Sequence, residues 1–167
     1  MELANCPAVP LFIPNPFQNQ FSTNNNEITY LGADSQWVQQ LVEQDLTTKN
    51  TFSIKILKSK FSQIHIGIAD RIYSNAKFSA TFLNNIHYVG FNANLVDGGF
   101  VAASSPGIGF SEGHIVKVVV DFALNKITWY VNGVLQVSRI SAKISDPLVQ
   151  WVPYLALFNN GDSVEWL

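Results

Sequence analysis

Cysteine is almost missing from this chain: Cys6 stands alone among 167 residues, so no disulfide can form within it. Charge is scarce too, at 13% of residues, and a net charge of -2 gives no broad attraction to nucleic acid or an anionic membrane. No apolar run approaches the roughly 20 residues that span a bilayer. Met1 is not followed by the basic stretch and apolar core of a secretion signal. No Asn-x-Ser/Thr site occurs. These absences favour an intracellular, cytoplasmic protein with neither a membrane nor a nucleic acid as partner. No segment carries a convincing helical stripe, no internal repeat is visible, and no linker divides the chain.

Marks of catalysis are equally thin. Gly109-Phe-Ser-Glu-Gly113 matches G-x-S-x-G in letters but is a loop leading into a strand, not the strand-to-helix turn of a nucleophile elbow, and Cys6 sits in a proline-rich stretch that would hold a nucleophile poorly. His65, His87 and His114 each adjoin strand residues and read as satisfied or solvent-facing side chains. No C-x-x-C or H-x-x-x-H spacing is present, so no metal is expected. Asp97, Glu112, Asp121, Asp146, Asp162 and Glu165 are carboxylates by type only, and Asp121 suits a strand end turning a hairpin. Gly98-Gly99 and Gly107-Ile108-Gly109 lack the Lys-Ser/Thr of a phosphate loop. Lys55, Lys58 and Lys60 read as a solvated strand end. The expectation is a protein without catalytic residues, cofactor or metal.

What is present is short strands. Ile115–Gln136 reads IVKVVVDFALNKITWYVNGVLQ, two strands and the start of a third. Val116, Val118 and Val120 share one face; Ile127, Trp129 and Val131 share another. Asn132-Gly133 is the strongest hairpin signal, because a type I′ turn needs φ > 0 at both positions. Such a meander cannot stand alone and must lie on a larger apolar layer. Around it, strands are predicted at Ile28–Leu31, Thr51–Leu57, Gln63–Ala69, Ile86–Phe91 and Phe100–Ala103. Trp37–Val42 fits a strand or a helical turn. Asp70–Asn84 reads as a long loop, Leu95–Gly99 as a turn and Ser138–Gln150 as irregular. Val152–Leu157 and Ser163–Leu167 are expected to form a last hairpin across Asn159-Asn160-Gly161. This spacing predicts one all-β domain, an antiparallel sandwich of two sheets.

Residues 1–26 differ in kind. Pro7, Pro10, Pro14 and Pro16 forbid a helix or a central strand. Leu11, Phe12, Ile13, Phe17 and Phe21 are too apolar for a free tail, so an extended arm packing on the domain is expected. Asn24-Asn25-Asn26 is a polar break, and the sandwich domain is assigned to 27–167.

Three segments together resemble the SPRY domain, the core of the B30.2 arrangement. They are Phe52-Ser-Ile-Lys-Ile with Ile64-His-Ile-Gly-Ile-Ala-Asp70; His87-Tyr-Val-Gly-Phe91; and Glu112-Gly-His-Ile-Val-Lys-Val-Val-Val-Asp121 with Ile127-Thr-Trp-Tyr-Val-Asn-Gly133, closed by Val152-Pro-Tyr-Leu-Ala-Leu-Phe158 and Gly161-Asp-Ser-Val-Glu165. Phe52 stands where the family usually has Trp, and the arm does not match the PRY extension. The resemblance implies a concanavalin-like jelly roll. It also implies an adaptor that recognises a linear peptide of a partner protein through loops at one end, as substrate-recognition part of a ubiquitin ligase or as a scaffold. Carried onto this chain, the ligand-binding candidates are Asp70, Arg71, Tyr73, Asn84, Asn85, Phe158, Asn159 and Asn160, with the arm side near Gly32–Ser35. Tyr73 and Phe158 would be anchors, Arg71 a fork for a carboxylate or carbonyl, and the asparagines readers of peptide backbone. A monomer is favoured. The rival readings are a lectin-like carbohydrate-binding module built on Trp37, Tyr73 and Phe158, and an assembly domain whose arm docks on a neighbouring chain.

Overall fold

The computed structural model describes residues 10–167, so Cys6 and Pro7 lie outside the described residues. Among the described residues, thirteen strands form two antiparallel sheets. They are β1 (Phe21–Asn24), β2 (Glu27–Tyr30), β3 (Val38–Leu41), β4 (Thr51–Lys58), β5 (His65–Asp70), β6 (Asn85–Val89) and β7 (Leu95–Asp97). The rest are β8 (Phe100–Ala103), β9 (Ile115–Asp121), β10 (Lys126–Val131), β11 (Val134–Ile140), β12 (Trp151–Leu157) and β13 (Ser163–Trp166). The first sheet runs β1-β2-β13-β4-β9-β10-β11 and the second β3-β12-β5-β6-β7-β8.

Between the sheets lies the main core. Ile54 and Ile56 of β4, Val116, Val118 and Val120 of β9, and Ile127, Trp129 and Val131 of β10 face Ile64, Ile66, Ile68, Tyr88 and Leu155 from the other sheet. Alternation puts these residues inward because successive side chains of a strand point to opposite faces. Trp129 is fully buried, and its indole N–H donates to the Ile66 carbonyl across the core at 2.9 Å. Trp166 stacks on Phe52, centroids 5.3 Å apart. Asn132 and Gly133 have φ of 49° and 79°, the left-handed pair that a type I′ turn requires. Asp121 turns the β9–β10 connection by accepting from the Leu124 N–H at 3.0 Å.

Three expectations are corrected. First, the last two strands are not a hairpin. β12 pairs with β3 and β5, whereas β13 pairs with β2 and β4, so residues 158–162 carry the chain from one sheet to the other. The crossing is held by Tyr30, whose N–H donates to the Asp162 carbonyl while its own carbonyl accepts from Gly161. Second, Leu95–Asp97 is a strand and not a turn. Leu95 is buried in the core, and the buried Asp97 carboxylate accepts from Arg139 at 2.8 Å and Lys143 at 2.9 Å. Burial pushes the Asp97 carboxyl up, but the two cations outweigh it and hold it below the usual carboxylate range. Third, the region read as irregular from Ser138 begins inside β11, which continues to Ile140 because Thr128 and Ser138 bond across the pair.

Residues 11–13 of the proline-rich segment run along the outer edge of β3. Ile13 N–H donates to the Leu41 carbonyl, Glu43 N–H donates to the Leu11 carbonyl, and Ile13 is buried. Asn24-Asn25-Asn26 is the turn joining β1 to β2, with Asn25 at φ 53°, so a boundary at 26/27 falls inside a β-hairpin. Trp37 leads into β3, which is a strand and not a helical turn. The long loop 71–84 holds one 3-10 turn (Arg71–Asn75) and folds back over the outer face of the second sheet. There it covers Ala69, Tyr154 and Ala156, a second buried layer distinct from the main core. Close approach explains Gly67 on β5: a Cβ there would collide with the Ile86 carbonyl oxygen and lie 2.6 Å from the Cα of His87.

Candidate functional site

Antiparallel pairing decides which candidates meet. Trp151, the first residue of β12, faces Asp70, the last of β5, while Ala156 faces His65. Residues 70–75 and 158–160 therefore sit at opposite ends of the same sheet.

At the first end the candidates fasten the loop they belong to. Asp70 is buried and accepts from the Ile72 N–H at 3.2 Å and the Asn84 amide at 3.3 Å. Arg71 forks onto Glu43, with Nη2 2.7 Å from a carboxylate oxygen, and that hydrogen bond raises the arginine pKa further. Tyr73 packs edge-on against Phe82, and its hydroxyl accepts from the Asn84 N–H at 3.2 Å. Asn85 is fully buried, donating to Ser79 and accepting from His87.

At the second end, Phe158 rests half-buried against Trp37, centroids 4.6 Å apart. Trp37 also touches Phe78 and His65, so it is enclosed by rings and does not form an open platform for a sugar. Asn159 is buried and donates to Gln63 at 3.1 Å. Asn160 is exposed; its backbone N–H donates to Asp34, and its side-chain amide donates to the Leu31 and Gly32 carbonyls. That backbone N–H, followed by Lys60, holds the Asp34 carboxyl below its usual value.

Beside Asn160 opens a recess of about 510 Å³, lined among others by Asp34, Lys58, Lys60, Glu112 and Asp162. Two of its acids are already engaged. Asp34 pairs with Lys60 at 3.3 Å, and Asp162 accepts from the Lys60 and Asn159 backbone N–H groups. Lys58 and Glu112 have no ion pair among the described residues. A second recess of about 200 Å³ adjoins it, sharing the 58–62 loop and the 111–114 turn. Its rim carries Phe61, Phe91 and Ile108, respectively 62%, 51% and 79% exposed. Large apolar side chains displayed together around a depression are the physical sign of a surface that docks something.

This apolar rim was missed in the sequence, although Phe61 gives a signal. It is the one large apolar residue in Lys58-Ser-Lys-Phe-Ser-Gln63, a loop otherwise fully polar. Lys58 and Lys60, read as a solvated strand end, border the first recess.

Two of the three histidines differ from expectation. His65 and His87 are buried on the outer face of the second sheet, and each keeps one nitrogen without a partner. His114 accepts from the Ser111 N–H through Nδ1 at 3.2 Å. Among the described residues no group of three or more His, Cys, Asp or Glu is arranged to hold a metal. No helix of the described residues is long and apolar enough to cross a membrane.

No protein-family model matches this sequence, and no curated protein does. Solved structures do. A human SPRY domain superposes with a TM-score of 0.73 at 16% identity, over 88% of this chain and 94% of that one. The SPRY domain of human HERC1 gives 0.66 at 15% identity, over 93% and 96%. The TRIM65 PSpry domain gives 0.67 at 11% identity, over 95% and 91%. These likenesses agree with the two-sheet topology and with the motifs of β5, β6, β9 and β10, and the chain has the SPRY fold.

Proposed function

We propose that this chain is a non-catalytic protein-interaction module that binds a short segment of a partner protein at the end of the sandwich carrying Phe61, Phe91, Ile108 and Asn160. The observation that carries the proposal is the pair of adjoining recesses with three exposed apolar side chains on one rim. A fold whose strands are rigid and whose loops vary supports recognition at a loop end. Phe61 and Phe91 supply large contact area with few rotatable bonds, so ordering them costs little. Lys58 and Glu112 flank them as polar selectors of the segment's charge. Asn160 fixes the Leu31–Asp34 turn that forms the far wall. Asp70, Arg71, Tyr73, Asn84 and Asn85 hold a different part of the molecule and stand outside this surface. A role in substrate recognition for a ubiquitin ligase or in a scaffold, in an intracellular setting, fits a module of this kind.

A displayed library of linear peptides tests the proposal. A selected peptide should bind wild-type chain and lose about tenfold or more in affinity on Phe61→Ala or Phe91→Ala. Peptides that ignore both substitutions but fail on Ile72→Ala, at the opposite end, would move the site elsewhere.

A further inference from the structure

The outer face of β3, β12, β5 and β6 is closed by residues 71–84, and what lies beneath them is polar and incomplete. His65 and His87 stack there, centroids 4.5 Å apart and planes 13° from parallel, 7% and 0% exposed. Asn85 fixes one tautomer. Its amide N–H donates to Ser79 Oγ, so its Oδ1 faces His87 Nδ1 at 2.8 Å, and that nitrogen carries the hydrogen. His87 Nε2 is then a bare lone pair, and it has no partner. His65 Nδ1 and the Tyr154 hydroxyl are buried without partners beside it. Three unpartnered polar atoms in one layer are costly, since such groups find partners almost everywhere in folded proteins. A shared metal does not resolve them: lone pairs lie in the ring planes, and near-parallel planes do not converge on one ion.

The Lys143 ammonium donates to the Leu83 carbonyl near the end of the covering segment, and the segment's middle is tied down by Gln39 of β3. Its backbone N–H donates to the Lys77 carbonyl at 2.9 Å, its amide N–H donates to the Tyr73 carbonyl at 2.8 Å, and its Oε1 accepts from the Ser79 N–H at 2.8 Å. Arg71 with Glu43 and Lys77 with Gln36 pin the outside, both at the solvent boundary. Phe78 lies flat on Trp37 at 5.4 Å.

We propose that residues 71–84 form a strap that is closed over a neutral histidine pair and opens when that pair takes up protons. No carboxylate faces either ring to receive the charge. From β3 comes Gln39, from the residue before the strand Trp37, from β12 the neutral Tyr154, and from the strap Phe78 and Ser79. The strap's own charges are the cations Arg71 and Lys77, the first already paired with Glu43. Asp70, at the end of β5, is engaged by the Ile72 N–H and Asn84. A proton on either ring therefore meets a second imidazole 4.5 Å away and no anion. Burial already pushes His87 down to about 3, and His65 well below its ordinary value with His87 adding to the effect. Water reaches the rings when the strap lifts, and the charged form is stable only then. The strap can lift alone because no sheet strand lies in it.

Hydrogen exchange on the whole chain, read by mass spectrometry and normalised to the intrinsic rate at each pH, tests this. Between about pH 7.5 and about pH 5, amides of 71–84 should lose about tenfold or more of their protection, while those of β9 and β10 keep theirs. His87→Asn, which retains a donor toward Asn85, should flatten the change. Unchanged strap protection, equal opening in the variant, or simultaneous loss across the sheets would each overturn the proposal. If the variant does not fold, titration of the wild-type histidine ring signals decides. Both rings should resist protonation until the strap amides exchange, and rings that titrate at ordinary pH under a protected strap would refute it.

Discussion

The two buried layers of this molecule are built on opposite terms. The layer between the sheets is aliphatic and aromatic, and the indole donors of Trp129 and Trp151 each have a carbonyl to bond. The layer under the strap mixes Leu41, Val152 and Tyr154 with imidazoles and amides, and leaves three polar atoms unpaired. Both exclude water, yet only the first gains from every group it buries. Solvent exclusion therefore marks two different things here: a scaffold, and a cover held against an opposing cost.

The difference can be broken most forcefully at Trp129. Trp129→Ala should cost about 3–5 kcal/mol and lower the thermal midpoint of the entire sandwich, because the cavity sits where both sheets meet. Acid should act on the other layer. His65 and His87 have folded pKa values below the unfolded value near 6.5. Their contribution is thus fully present above about pH 6.5 and is lost as pH falls toward about 3 for His87. Urea denaturation should show stability falling by up to about 1.4 kcal/mol per pH unit per histidine, and less in His87→Asn. Phe78→Ala should cost only about 1 kcal/mol, since its ring is half-buried on Trp37, but hydrogen exchange should rise in the strap alone. Smallest is Asn160→Ala, about 0.5 kcal/mol for two solvent-exposed hydrogen bonds to the 31–32 carbonyls. Its larger effect should appear in peptide affinity at the loop end.

Where a strand had one buried face and strong turn chemistry, sequence was enough. β4 and β9 show clean alternation, Asn132-Gly133 declares its turn, and the resemblance carried by β5, β6 and β10 pointed to the right fold. β5 was legible on one face only. Ile64, Ile66 and Ile68 read as core, whereas the burial of His65, Gly67 and Ala69 depends on a loop that shows no period. The end of the chain misled for a related reason. Asn159-Asn160-Gly161 looks like a hairpin turn, but partners distant in sequence, Tyr30 and Asp34, decide that it bridges two sheets. The candidate site was the least legible part. Loop residues carried over by type, such as Arg71 and Asn159, are engaged by Glu43 and Gln63, and no local pattern announces such pairings. Phe61 stood in plain view, but only its neighbours in space, Phe91 and Ile108, give it meaning.

Gly67 shows how narrowly one position can be constrained without any role of its own. Every amino acid but glycine has a Cβ, and at position 67 that atom would collide with the backbone of β6. A variant library could exchange the strap residues above it widely and still recover folded chains. It should recover only glycine at 67, because there the allowed alphabet has a single letter.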